Sequence, residues 1–352
     1  MLMLASYCIG ATTSCIVSLV IGWPIFYEIC DITGYKPKEK FPLIVVIGIL
    51  YCGALGGAVF PFRPLAAIVC SSVSGITGEA IDPLTFSLTS FAITICLVFI
   101  YILIGKFILR PDVSPLIAAG DPYARYRGQK FTSKARVGGI AMICVLACNF
   151  LPSILPKTWF IAAFLSKFSM AAVFATALML TALVRINGEP YADIPKAFRN
   201  GMNWSTIIML ASSMPLAAML KDPATGVNDM FTTLILKLLE GASPLMVGVI
   251  FIAFVSILTQ FAHNLVLAIV LSPILANVGL QLGFNPAPIA ILLAMMANMG
   301  IATPGASIFG AMLFANKEWV PAKQGYLYTF SFVFVAIIFV CIIGVPFVGL
   351  FF

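Results

Sequence analysis

The sequence predicts an all-α, polytopic membrane protein with an inverted internal repeat, re-entrant hairpins and broken helices, its first repeat truncated. Three observations lead there. Of the 352 residues, 61% are hydrophobic and only 9% charged, against roughly 45–50% apolar in soluble domains, and the mean hydropathy is +1.08. Several apolar runs reach the ~20 residues that a helix needs to cross a hydrocarbon core. Other apolar runs are too short or are broken by Gly, Pro and polar residues, and two series of such pieces follow each other in the same order.

Continuous spans are expected at 42–60, 86–109, 137–155, 159–184, 204–220 and 324–350. The broken pieces are 9–23, 64–80, 244–258, 265–276, 287–300 and 306–315. Irregular backbone at membrane depth is tolerated only where protein buries it or where it lines a cavity, so these pieces mark a site. With 9–23 and 244–276 as hairpin elements entering from opposite sides, and 42–80 and 287–315 as broken crossing helices, the loops 24–41, 110–136, 185–203 and 316–323 share one side. That side holds 14 of the 20 lysines and arginines, which makes it cytoplasmic by the positive-inside rule and places the protein in the cell membrane. Residues 1–23 have no basic residue ahead of them and no small-residue cleavage site, so they read as part of the mature fold. The nine cysteines lie mostly in apolar segments, as small hydrophobes without metal-ligand spacing. The net charge of +7 belongs to membrane-flanking loops, with no basic stripe and interleaved aromatics to suit nucleic acid. No HExxH, nucleophile motif or paired intramembrane carboxylates point to an enzyme.

The repeat is read from IGATTS at 9–14 and GGAVFPFRP at 56–64 in the first copy, against TQFAHN at 259–264 and GIATPGAS at 300–307 in the second. Residues 1–109 form the C-terminal part of the first copy, 110–136 a cytoplasmic linker, and 137–352 the second copy. Within the second copy, scaffold helices occupy 137–243, the hairpin and broken helix 244–316, and the last span 323–352. Eight residues precede the first tip and roughly 120 precede the second, so the first several helices and half a hairpin of a complete protein are expected to be missing. Inverted repeats of this kind place a binding site near the bilayer midplane, where the broken elements meet.

At these residues the sequence resembles the divalent anion:sodium symporter family, whose hairpins are tipped by Ser-Asn-Thr and whose two unwound helices carry a Thr-Pro break. The best stretches are LTQFAHNLVLAIVLSPILANVG and MGIATPGASIFGAMLFAN within 244–316, with Asn203-Trp204 opening the helix at 203–220 that precedes the hairpin. His263-Asn264-Leu265 stands for Ser-Asn-Thr at the second tip, and Gly10-Ala11-Thr12 stands there at the first. The resemblance implies secondary active transport of a small anion, a di- or tricarboxylate or similar, by alternating access. It also implies Na+ as a coupling ion without other cofactors, and a homodimer for the complete protein. A proton-coupled carrier or antiporter of the same superfamily, and a transport-inactive truncated protein, are the alternatives.

Substrate-binding candidates are Thr12, Thr13, Arg63, His263, Asn264, Thr303, Pro304, Gly305 and Ser307; sodium-site candidates are Thr259, Ala262, Asn264, Ala302, Gly56 and Gly57. Loss of an Asn and a Ser from the first tip leaves one cation site at most, because a hard cation needs several oxygen ligands. His263, the only histidine, reads either as a hydrogen-bonded fixture of the tip or as an anion ligand or proton carrier. Arg63 reads as a bidentate carboxylate ligand, as an electrostatic replacement for sodium, or as a structural partner of Glu79 or Asp82. ATPGAS at 302–307 reads as free amides and hydroxyls at half-helix ends suited to an anion, or as a plain proline kink. Lys106 and Lys167 read as snorkelling or locally paired charges.

Overall fold

The computed structural model describes residues 1–120, 132–155, 159–165, 167–168, 170–186, 188–201, 207–208, 211, 215, 223–226, 230, 233–234, 237, 239 and 241–350. The span expected at 204–220, the Asn203-Trp204 motif and the linker segment 121–131 fall largely or wholly outside these. The chain divides into two compact units, one of residues 1–81, 85–122 and 213–352, the other of 82–84 and 123–212. The smaller unit contains α7 (Ser133–Ile154), packed on α8 (Phe160–Leu165) and α9 (Met170–Leu183), and a two-stranded ribbon of β1 (Arg185–Ile186) and β2 (Glu189–Pro190). Thr132 starts α7 by accepting the Ala135 amide on its hydroxyl, 3.2 Å. Lys167 lies exposed in this unit.

In the larger unit, α1 (Leu2–Thr12) and α2 (Cys15–Thr33) form a hairpin packed on α3 (Lys40–Gly56). The helices α4 (Pro64–Thr77), α5 (Pro83–Leu103, continued as a π-helix over Ile104–Leu109) and the short α6 (Ser114–Ala118) follow. A second hairpin of α10 (Pro244–Leu258) and α11 (Asn264–Leu282) leads into α12 (Ala287–Ala297), α13 (Ile308–Ala315) and α14 (Ala322–Phe339), the last running on to Val348. Five helices are long and apolar enough to span: Cys15–Thr33, Pro83–Leu109, Ser133–Pro152, Asn264–Leu282 and Ala322–Val348. The chain is a multi-pass α-helical membrane protein.

The second arms of the two hairpins share several local features. Both α2 and α11 have 19 residues, and each carries a proline at its tenth position, Pro24 and Pro273. Each ends on a glycine in the left-handed region, Gly34 at φ 78° and Gly283 at φ 75°, where a side chain would be strained. The expected hairpin elements end near residue 23, just before Pro24, and near residue 276, just after Pro273; the helices run on to Thr33 and Leu282. A proline removes one amide donor from a helix, and here packing against the neighbouring helices holds the remainder.

The crossing helices α3 and α12 are apolar on every face, and every residue of α12 is buried, as expected of a helix at the centre of a bundle. An aromatic cluster wedges α3, α5 and α14 together: Tyr101 lies 5.0 Å from Tyr51 and 4.0 Å from Phe332 between ring centroids. The Tyr101 hydroxyl, fully buried, donates to the Ile44 carbonyl at 2.7 Å. Three of the four loops assigned to one side meet. Tyr27 stacks on Trp319 at 4.4 Å and its hydroxyl accepts from Asn316 at 2.6 Å, while Tyr35 donates to the Asp112 carbonyl at 2.8 Å.

Candidate functional site: two hairpin tips against two helix breaks

Each hairpin tip is set by the residue that starts its second arm. Ser14 caps α2 by accepting the Val17 amide on its hydroxyl, 3.2 Å, and His263 caps α11 by accepting the Leu265 amide on Nδ1, 3.3 Å. Caps, prolines and terminal glycines therefore align on one register, in which Ser14 corresponds to His263, Cys15 to Asn264 and Ile16 to Leu265. The Ser-Asn-Thr position of the first copy is then Ser14-Cys15-Ile16. Gly10, Ala11 and Thr12, which the sequence reading puts there, form the last turn of α1 and correspond to Thr259, Gln260 and Phe261. The polar string IGATTS had the composition of a tip, but its early part is helical. Thr12 and Thr13 turn their hydroxyls back onto the Cys8 and Ile9 carbonyls at 2.8 and 2.7 Å, and both residues are exposed.

The second tip is bonded to the break between α12 and α13. Thr259 donates to the Ala297 carbonyl at 3.0 Å. Gln260, 1% exposed, uses its whole amide: Nε2 donates to the Ser256 and Met299 carbonyls at 2.9 and 3.0 Å, and Oε1 accepts the Ile301 and Ala302 amides at 3.2 and 3.0 Å. Thr303 returns a hydroxyl bond to the Gln260 carbonyl, and the Asn264 amide donates to the Ala306 carbonyl at 3.3 Å. Ser307 donates to the Gly300 carbonyl and caps α13 by accepting the Gly310 amide. Gly300 is required where it stands, since a Cβ there would lie 2.9 Å from the Thr259 carbonyl.

Among the described residues, the carbonyls of Thr259, Ala262 and Ala302 accept no hydrogen bond. Thr259 and Ala302 are fully buried and Asn264 is 6% exposed, with Asn264 Oδ1 directed at its own helix start, 2.9 Å from the Leu265 amide. These are hard oxygen donors of the type a sodium ion takes. Pro304 and Gly305 are exposed at the turn into α13, with Thr303 half-buried beside them.

In the first copy Arg63 does the joining. It stands at the cap of α4 and donates through Nη1 to the Thr13 carbonyl and through Nη2 to those of Gly10, at 2.9 Å, and Ala11. Gly56 and Gly57 end α3 directly below, and α1 lies so close on α3 that a Cβ at Gly10 would overlap the Gly53 carbonyl and one at Gly56 the Tyr7 carbonyl. The two breaks are themselves linked: Asn298, at the end of α12, donates to the Ala54 carbonyl of α3 at 2.6 Å. The half-helices also cross over, α4 packing on α11 and α12, and α13 on α3.

Sequence reasoning missed Gln260 and Asn298. Asn298 closes a long apolar run as a lone amide, where a buried polar side chain must find partners.

A direct check on the cap assigned to His263 is substitution. His263→Ala is expected to lower stability by about 1 kcal/mol, while His263→Asn, which caps equally well, stays near the parent. Thermal unfolding in detergent measures both, and equal loss in the two variants would show that the imidazole does more than cap.

The chain is similar to a sodium-dependent dicarboxylate transporter of Staphylococcus saprophyticus, 22% identical over 325 residues that cover 88% of this chain and 60% of the relative. It is also similar to an uncharacterized transporter of Haemophilus influenzae, 26% identical over 137 residues, 38% of this chain and 29% of that one. The chain thus spans less than two thirds of the length of these relatives. Residues 133–350, more than half of the chain, match the sodium:sulfate symporter transmembrane region. On that match the chain belongs to that family, the divalent anion:sodium symporters.

Proposed function

We propose that this chain carries the substrate- and cation-binding part of a secondary transporter that moves a small divalent anion, a dicarboxylate or similar, together with sodium by alternating access. The observation that carries the reading is the second tip. There Gln260 pins the hairpin to an unwound helix, and the carbonyls of Thr259, Ala262 and Ala302 and the amide oxygen of Asn264 on these segments are hard donors of the kind that sodium takes. The Thr303-Pro304-Gly305 turn beside it opens onto the first amides of α13, and half-helix starts of this kind favour an anionic group. The similarity to a sodium-dependent dicarboxylate transporter supports the same substrate class. Proton coupling through His263 has less support, because Nδ1 accepts the Leu265 amide and protonation there would forfeit the bond.

The test is binding of radioactive sodium and of succinate to the purified chain in lipid nanodiscs. Asn264→Ala is expected to weaken sodium binding at least about tenfold, through loss of a ligand oxygen to a hard cation. Lys167→Ala, exposed in the smaller unit, leaves both affinities unchanged. Sodium affinity of Asn264→Ala equal to that of the parent would sink the assignment.

A further inference from the structure

We infer that Arg63 is a tethered cation, its guanidinium permanently filling the place in the first copy that a sodium ion takes in the second. The inference deepens the proposed function and rests on its second-copy cation site.

The register set by Ser14 and His263 is what connects the two places. Under it, Gly10, Ala11 and Thr13 correspond to Thr259, Gln260 and Ala262. The carbonyls of Gly10, Ala11 and Thr13 are those that Arg63 gathers. Two of their counterparts, Thr259 and Ala262, are cation-ligand candidates. Both sets lie at the C-terminal end of a hairpin's first arm, where the last carbonyls lack helical partners and carry the negative end of the helix dipole. In the second copy neutral groups close the joint, the Gln260 amide and the Thr303 hydroxyl, and leave carbonyls over. In the first copy no such neutral pair stands at the tip, and a full positive charge enters from the break.

The surroundings fit a held charge better than a substrate ligand. Both terminal nitrogens of Arg63 are engaged with main-chain oxygens, and Nε is buried without an acceptor among the described residues. Phe62 lies beside it, its ring centroid 6.0 Å from Cζ, and stacks on Phe60 at 5.0 Å. Three of the guanidinium's five N–H donors are thus committed to main-chain oxygens.

The consequence is electrostatic. Moving an unbalanced charge against a membrane potential costs free energy in proportion to that charge. A dianion with a single sodium carries one uncompensated charge, and Arg63 offsets it inside the protein. A tethered ion cannot be released, however, so it balances charge without supplying any gradient energy.

The experiment counts sodium bound per chain in nanodiscs for the parent, Arg63→Ala and Arg63→Gln, with and without added guanidinium. The parent is expected to bind about one sodium, and Arg63→Ala about two, the second displaced by guanidinium but not by choline, since three vacated carbonyls suit a hard or planar cation. Failure of the parent to bind any sodium would strike the proposed function, whereas a parent that binds one and an Arg63→Ala that gains no cation would overturn this inference alone. If Arg63→Ala is recovered only in guanidinium, that supports the inference. If it is not recovered at all, Arg63→Gln decides. A glutamine variant as stable as the parent and binding no second sodium shows that hydrogen bonding suffices and refutes the charge. A glutamine variant that takes a second sodium, or that is lost where Arg63→Lys survives, supports it.

Discussion

Replacing Gln260 by Leu is expected to abolish sodium and anion binding and to lower stability by about 3–9 kcal/mol. The side chains are similar in volume, so the loss is one of hydrogen bonds. The Ile301 and Ala302 amides and the Met299 carbonyl would be left buried with no partner, and each such group costs about 1–3 kcal/mol. Against a total stability of the order of 5–15 kcal/mol this is large. The break would then be free to leave the tip, scattering the carbonyls of Thr259, Ala262 and Ala302. Gln260→Glu tests geometry against charge, because it keeps the acceptor for the two amides but discards both donors; an intermediate loss is expected. Thermal unfolding and sodium binding on the same preparations measure both effects. Parent-like binding by Gln260→Leu would mean that Thr259 and Thr303 hold the tip without it.

The second large effect is expected at Gly56. In a helix interior, Gly→Ala ordinarily stabilises by about 1 kcal/mol. At Gly56 the sign reverses, because the new methyl would overlap the Tyr7 carbonyl and approach the Ala11 amide to 2.9 Å. The obstacle is backbone, so α1 as a whole must shift, at about 3 kcal/mol or more, the upper end of what overpacking costs. A shifted α1 also carries the Gly10, Ala11 and Thr13 carbonyls away from Arg63. Gly75→Ala is the control, since Gly75 lies in α4, is exposed, and has nothing within 4 Å of the added Cβ; there the usual gain is expected. Unfolding temperatures that fall for Gly56→Ala and rise for Gly75→Ala would confirm that close approach, not helix propensity, decides at the α1–α3 contact. Equal shifts would contradict it.

What the sequence revealed and what it hid follow from the kinds of interaction involved. Spans such as 86–109 and 324–350 are written in composition alone, since burial in hydrocarbon asks only for length and apolarity. The breaks at 57–63 and 298–307 were legible because Gly-Gly and Thr-Pro-Gly interrupt apolar runs that have no other reason to stop. Register within the first tip was not. Thr12, Thr13 and Ser14 are equally polar, and which of them caps a helix depends on where the chain turns, a tertiary matter. The right signal was present in the ten-residue spacing from Ser14 to Pro24 and from His263 to Pro273, shared by both copies. Arg63 stood out in the sequence as an intramembrane charge, but its partners are main-chain oxygens, which no residue pattern displays. Gln260 was hidden by its neighbours, because in Leu-Thr-Gln-Phe-Ala-His-Asn the histidine and asparagine draw attention first.

The bond from Asn298 to Ala54 has a mechanical meaning. It ties the end of one crossing helix to the last turn of the other, at a point where a Cβ added at Gly57 would lie 3.3 Å from the same amide nitrogen, and α4 packs on both α11 and α12. A movement of one break that leaves the other in place has to give up this contact, so the bond couples the two breaks by roughly the 0.5–1.5 kcal/mol that a single hydrogen bond contributes.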